Sequence, residues 1–206
     1  MRTPARLAAA FAVIAVAAAV AATGGSASSR LGSGGTLKVG WEQAFGFTDS
    51  FDPTGEYLGD AQGIFSSLLV RTLVGYDHVA GAAGNRIVPD IATSVPSPTN
   101  GGTTYTFHLK QGIRFSPPVN RAVTSQDVLY AFERLARPRN GGQYPFYYSV
   151  IKGFADYGAG KAPTISGIET PSPSRIVFHL TKPTGDFLYR VSMPATGPIP
   201  QEVARC

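Results

Sequence analysis

Cysteine and charge are both scarce in this 206-residue chain. The only cysteine is Cys206, so the sequence excludes an intrachain disulfide and a cysteine-based metal site. Charged residues make up 15% of the sequence and are scattered, although the formal net charge is +5. Because nucleic-acid binding needs a clustered basic surface, we expect no nucleic-acid partner.

The sequence also lacks the motifs of common enzymes. His78, His108 and His179 are isolated, without the His-Glu-x-x-His spacing of a metalloprotease, and a Gly-x-Ser-x-Gly nucleophile motif is missing. Residues 32–35 have the glycines of a phosphate-binding loop without its Lys-Ser/Thr. His108 and His179 fall on the polar phase of two predicted strands, where a metal would still need a third ligand. We therefore expect no metal, no cofactor and no catalytic residue.

The first 35 residues have the layout of an export signal and a linker. Arg2 and Arg6 lead into an uncharged, alanine-rich run over residues 7–22, and residues 19–21 are small enough for a cleaving peptidase. We interpret residues 1–22 as a signal peptide and 23–35 as a flexible Gly/Ser-rich tether. An uncleaved membrane anchor is the alternative, although a spanning helix needs roughly 20 apolar residues. The prediction is an exported protein at the periplasmic or extracellular face of the envelope.

Two segments in the middle of the chain carry clear periodicity. Residues 103–110 alternate strictly, with Tyr105, Phe107 and Leu109 in one phase, which predicts a half-buried strand. Residues 125–136 repeat apolar positions with a helical period, and Thr124 precedes them as a helix cap with Asp127 in the first turn.

Weaker patterns complete the outline. Residues 61–73 carry one apolar stripe, for which Asp60 is the predicted N-cap. Further predicted elements are strands at 36–40 and 73–76, a hairpin with strands at 165–170 and 175–181 joined through 171–174, and a short helix after Pro183. Because strands and helices do not alternate regularly, the pattern predicts an α+β fold of mixed sheets with flanking helices.

The stretch from Pro89 to Arg134 resembles the hallmark region of the family 5 extracellular solute-binding proteins. Three further stretches are similar to the same family: residues 36–53, which end in Phe-Asp-Pro, residues 64–77, and residues 165–200. The resemblance implies a periplasmic-binding-protein-like lobe of type II, formed by residues 36–206. Phe115 departs from the pattern, since Ser-Pro-Pro follows it where the family usually has Asp-Gly.

Family members are much longer than this chain and are two-lobed clamps that bury a solute between the lobes. The resemblance therefore implies that residues 36–206 are only the N-terminal part, truncated before the second lobe. We expect such a piece to bind peptide weakly or not at all, because a small-ligand site buries most of its ligand and one lobe provides one wall.

The resemblance also suggests which residues line that wall. The loop after the first strand contributes Trp41, Glu42 and Gln43, and the aromatic run at 144–148 contributes Tyr147 and Tyr148. Each has an alternative: Trp41 as a packing residue, Glu42 as a solvated loop carboxylate, and the two tyrosines as a local aromatic core.

The implied function is the extracytoplasmic substrate-binding component of an ABC importer, with a membrane permease and ATPase as partners and the receptor itself a monomer. Peptide is the expected solute, although relatives also take nickel complexes, opines and sugars. The alternatives are a secreted or envelope hydrolase with an unrecognised site, and a non-functional gene fragment.

Overall fold

The computed structural model describes residues 35, 36, 38, 40 and 51–204. Residues 51–204 belong to one compact unit, Trp41–Cys206. Within the described part, no helix is both long enough and apolar enough to cross a membrane. The predictions that lie wholly or largely outside the described residues are the signal peptide at 1–22, the tether at 23–35, the strand at 36–40, and the site residues Trp41, Glu42 and Gln43.

Short helices and two small antiparallel sheets make up the described part. The α-helices are α1 (Gly59–Ile64), α2 (Ser125–Ala136), α3 (Phe154–Gly158) and α4 (Phe187–Arg190). The strands are β1 (Val74–Tyr76), β2 (Ile87–Pro89), β3 (Thr104–His108), β4 (Ile168–Ser172) and β5 (Arg175–His179). A π-helical turn (Phe65–Leu69) follows α1, and 3₁₀ turns lie at Gly81–Asn85, Asn100–Gly102, Pro138–Asn140, Pro145–Tyr148 and Pro194–Thr196.

The larger sheet has three strands in the order β3-β5-β4, and both pairings are antiparallel. The alternation predicted for β3 is confirmed, because Tyr105, Phe107 and Leu109 are all buried. Across the sheet Phe107 faces Ile176, and Phe178 faces Tyr105 on the same side. This face of the sheet supplies one layer of the core.

Helix α2 supplies the opposite layer, and its predicted bounds are confirmed. The side chain of Phe132 is fully buried, with ring centroids 5.1 Å from Phe178 and 5.3 Å from Tyr148. Thr124 and Asp127 form a capping box at the start of the helix, as the sequence predicts. Burying large aromatic rings contributes most of the apolar area that stabilises such a core.

The first helix differs from its prediction. It begins at Gly59, so Asp60 lies within the first turn and is exposed, and no side chain of the flanking Leu58 caps it. The buried carboxylate of Glu56 lies before the helix, where its Oε1 accepts the backbone N–H groups of Tyr57 and Leu58, each at 2.9 Å, and fixes the turn that leads into α1. The predicted single helix then ends in the π-helical turn at Leu69.

The hairpin of β4 and β5 is confirmed with a tighter connection than predicted. Strand pairing extends to Ser172 opposite Arg175, with an irregularity between Glu169 and Ser172. The register of β3 on β5 pairs His179 with Thr104 and His108 with Arg175, so the two histidines lie at opposite ends of the strand pair.

Candidate functional site

A groove lined by tyrosines opens beside α1. Its volume is about 260 Å³, and we call it the tyrosine groove. Its lining residues are Tyr57, Gly59, Gln62, Gly63, Ser66, Tyr76, Tyr144, Tyr189, Ser192, Met193 and Pro194. No ionisable carboxylate, amine, guanidinium or imidazole belongs to this set. An uncharged, partly aromatic wall suits the apolar and amide groups of a solute better than an isolated ion.

The backbone around α1 sets one side of the groove. Glu56 fixes the loop that carries Tyr57, and the amide of Gln62 donates to the backbone oxygen of Glu56 at 2.7 Å. The π-helical turn then places Ser66 on the same wall. Such widened turns occur frequently at functional sites, because they redirect side chains that a regular helix would hide.

Three stacked rings set the second side. Tyr57 and Tyr144 stack with centroids 5.9 Å apart and an interplanar angle of 14°, and Tyr144 continues onto Tyr147 at 5.7 Å and 25°. The hydroxyl of Tyr144 donates to the Tyr57 backbone oxygen at 2.8 Å. Burial, and then the neighbouring phenols and Glu56, raise the pKa of Tyr144 above its ordinary value. Tyr144 therefore stays a neutral hydrogen-bonding group at physiological pH.

The third side belongs to α4 and the segment that follows it. Tyr189 lies 6.2 Å from Tyr76 by ring centroids, and both rings remain more than 40% exposed. Ser66, Tyr76 and Ser192 also line a neighbouring cavity of about 240 Å³ that reaches His78. The two cavities thus share these three residues as a common wall.

One buried polar atom in the wall lacks a partner. The side-chain oxygen Oε1 of Gln62 is buried and has no hydrogen-bond partner among the described residues, whereas its amide nitrogen is held by Glu56. Leaving a buried acceptor unsatisfied costs roughly 1–3 kcal/mol. Gln62 therefore gives the wall a hydrogen-bond acceptor that no described residue uses.

The structure separates the two predicted site tyrosines. Tyr147 is half-buried and contacts Tyr144 at the back of the groove. The guanidinium carbon of Arg190 lies 5.7 Å from the centroid of the Tyr147 ring. Tyr148 is fully buried and donates from its hydroxyl to the backbone oxygen of Arg190 at 2.9 Å. Its ring has no face open to a solute, which fits the alternative interpretation of a core residue.

Among residues 51–204, four tyrosines that the sequence analysis did not propose as ligand contacts line the candidate groove, namely Tyr57, Tyr76, Tyr144 and Tyr189. They come from four separate segments and share no spacing. Only Tyr144 carries a sequence signal, because it belongs to the aromatic run at 144–148. Within the same residues, no group of three or more His, Cys, Asp or Glu side chains is arranged to hold a metal ion.

Solved structures define the class of protein to which this fold belongs. A clavulanic acid biosynthesis oligopeptide-binding protein superposes with a TM-score of 0.69 and 28% identity, over 76% of this chain and 29% of that one. The substrate-binding domain of an oligopeptide ABC transporter from Bacillus anthracis superposes with a TM-score of 0.65 and 22% identity, over 73% of this chain and 28% of that one. The fold is therefore that of part of a periplasmic-binding-protein lobe of type II.

Sequence comparison identifies the family. The sequence model of the bacterial extracellular solute-binding proteins, family 5 (middle) matches residues 86–204, and the chain belongs to this family. Di/tripeptide-binding protein 4 of Pseudomonas aeruginosa is 31% identical over 98 residues, which are 45% of this chain and 18% of that protein. The dipeptide-binding protein of Lactococcus lactis is 29% identical over 103 residues, which are 50% of this chain and 18% of that protein. The chain thus spans about a fifth of the length of these curated relatives.

Proposed function

We propose that this chain is part of the extracytoplasmic substrate-binding component of an ABC importer and that its solute is a short peptide. The family and its curated relatives are binding proteins, several of them named for dipeptides, tripeptides or oligopeptides. Because the chain spans only a fraction of those relatives, the solute, the export to the envelope, and the permease and ATPase partners remain parts of the proposal. The proposed activity is binding, without a catalytic step.

The observation that carries the proposal is the unpaired Gln62 oxygen in a wall of tyrosines. A peptide presents backbone N–H donors at regular intervals, and one of them would satisfy the Gln62 Oε1 atom. The faces of Tyr76 and Tyr189 would then contact an apolar side chain of the same peptide. Tyrosine suits this role because a large rigid ring gives contact area at little cost in conformational entropy.

The stacked rings behind the wall give it rigidity. Tyr147 belongs to the proposed site as the support of Tyr144, in place of the direct ligand contact predicted from the sequence. Trp41, Glu42 and Gln43 lie outside the described residues and stay in the proposal as ligand contacts predicted from the sequence.

The test is saturation-transfer NMR on the full chain with alanyl-phenylalanine, a method that registers binding as weak as one wall of a clamp would give. We expect saturation of the phenyl protons in the wild-type chain. Tyr189→Ala should weaken binding roughly fivefold, because an aromatic contact contributes about 0.5–1.5 kcal/mol. Gln62→Leu should weaken it as well, since the amide acceptor is removed.

Tyr130→Ala is the matched control, because Tyr130 is a half-buried tyrosine of α2 that does not line the groove. It should bind the dipeptide as the wild type does. Absence of saturation transfer in the wild-type chain would contradict the proposal, and equal losses in Tyr189→Ala and Tyr130→Ala would remove the groove from it.

A further inference from the structure

A second cavity lies at the C-terminal end of α2, and it differs in character from the tyrosine groove. Its volume is about 570 Å³, and its walls come from α2, the 3₁₀ turn that follows it, α3, and the segment 201–204. Arg134, Arg137 and Arg139 all line it, together with Tyr130 and Asn140. We call it the arginine cavity.

The three arginines differ in how far their charge is already compensated. Arg134 forms an ion pair with Asp52, and its Nη1 donates to the backbone oxygen of Ala204 at 3.2 Å. Arg137 donates from Nε to the hydroxyl of Tyr157 at 2.9 Å and lies over that ring at 4.4 Å, which positions its guanidinium without neutralising it. Within residues 51–204, no carboxylate forms an ion pair with Arg139, which is exposed.

Glu133 is the one acidic residue in the cavity lining. It is half-buried, and burial raises the pKa of its carboxyl above the ordinary value, with Arg137 opposing that rise. With Asp52 neutralising Arg134, two guanidinium groups face a single carboxylate. The cavity therefore keeps an excess of positive charge.

A buried donor on Arg134 is a second reason to expect an acceptor in this cavity. The Nε atom of Arg134 is buried and has no hydrogen-bond partner among the described residues. A charged donor that stays unsatisfied costs more than a neutral one. An oxyanion in the cavity is the kind of group that would accept from it.

The helix dipole explains only part of this arrangement. Positive charge is favoured in the last turn of a helix, which accounts for Arg134. Arg139 lies beyond the end of α2, in the 3₁₀ turn Pro138–Asn140, where the dipole no longer requires a cation. Its place beside the other two arginines suggests a common target.

Guanidinium groups match the oxygens of phosphate and carboxylate through paired N–H donors. A tetrahedral phosphate has enough oxygens to accept hydrogen bonds from guanidinium groups on more than one side. Its charge of about −1.5 to −2 at neutral pH suits two uncompensated arginines. We propose that the arginine cavity binds a phosphate-type oxyanion, either free or as the headgroup of a lipid. This proposal is independent of peptide binding in the tyrosine groove.

The first arm of the test measures inorganic phosphate by calorimetry on the full chain, at constant ionic strength set with chloride. We expect saturable binding. Arg139→Gln should weaken it roughly tenfold, because a charge-assisted hydrogen bond is lost. Glu133→Gln should strengthen it by about threefold, because a repulsive charge is removed from the wall.

Arg175→Gln is the matched control, since Arg175 is an exposed arginine at the start of β5 and does not line the cavity. It removes the same charge and should leave phosphate affinity unchanged. Equal weakening in Arg139→Gln and Arg175→Gln would reduce the effect to net charge and overturn the site.

The second arm measures co-sedimentation with vesicles of phosphatidylcholine containing phosphatidic acid, against phosphatidylcholine alone. Phosphate binding without vesicle binding identifies a free oxyanion, and Arg139-dependent vesicle binding identifies a lipid headgroup. Failure of both arms overturns the proposal.

Discussion

Replacing Asp127 with asparagine is expected to destabilise the fold through one buried carboxylate at the start of α2. Its Oδ2 accepts from the N–H and the hydroxyl of Thr124, each at 2.8 Å. The two carboxylate oxygens also accept hydrogen bonds from the guanidinium group of Arg121, at 2.6 and 2.8 Å. We call Arg121, Thr124 and Asp127 the α2 clamp. The side chain of Asp127 is only 5% exposed, so water cannot replace these bonds.

The magnitude follows from these contacts. Asparagine keeps the size of the side chain and one acceptor, but it sets an NH₂ group against the donors of Arg121 or Thr124. Removing one partner of a buried ion pair costs about 3–5 kcal/mol. Arg121 is 37% exposed and retains Glu202 as a partner, which lowers the expected loss to about 2–3 kcal/mol. For a chain of this size that corresponds to a fall in Tm of roughly 5–10 °C.

The assay is urea unfolding followed by circular dichroism, with thermal melting as a second measurement. Asp60→Asn is the matched control, because Asp60 lies in the first turn of α1 and is exposed. It should lose only about 0.3–1 kcal/mol from the helix dipole. Equal losses of unfolding free energy in the two variants would refute the reasoning, since the burial of Asp127 and its hydrogen bonds from Arg121 would then add no stability.

Two further predictions concern the ion pair beyond the clamp and the packing of α3. Hydrogen bonds from Arg121 lower the pKa of Glu202 to about 2. The stability that this ion pair contributes is therefore complete above the ordinary glutamate pKa and is lost as the pH falls toward 2. An NMR titration that returns an ordinary glutamate pKa for Glu202 would contradict this prediction. Gly158→Ala places a Cβ atom 2.4 Å from a backbone oxygen of α2 and should cost about 1–3 kcal/mol in urea unfolding, whereas Gly185→Ala meets no atom within 4 Å and should be neutral.

The sequence pattern predicted those elements whose local residue spacing agrees with their packing in the folded chain. The alternation of Tyr105, Phe107 and Leu109 marks β3 because successive side chains of a strand point to opposite faces. The cap at Thr124 marks the start of α2 because free N–H groups at a helix end need an acceptor. These features need no knowledge of distant residues.

The first helix shows where local pattern is insufficient. Asp60 has the residue type of an N-cap, yet the helix begins one residue before it, and the buried carboxylate of Glu56 accepts from Tyr57 and Leu58 in the turn that leads into the helix. A carboxylate can be buried there only because the folded chain supplies these donors. The sequence around Glu56 carries no sign of this burial.

By itself, the sequence determined α2 and β3, because their periodicity repeats within a few residues, and it determined the class of fold and the family resemblance, because the order of elements and motifs is a property of the chain. Only the tertiary structure decided the candidate sites. It buried Tyr148, left Tyr147 behind Tyr144, and assembled the tyrosine groove from four segments far apart in the chain. Residues that come singly from several segments show no periodic spacing in the sequence. They form a common surface only after the chain has folded.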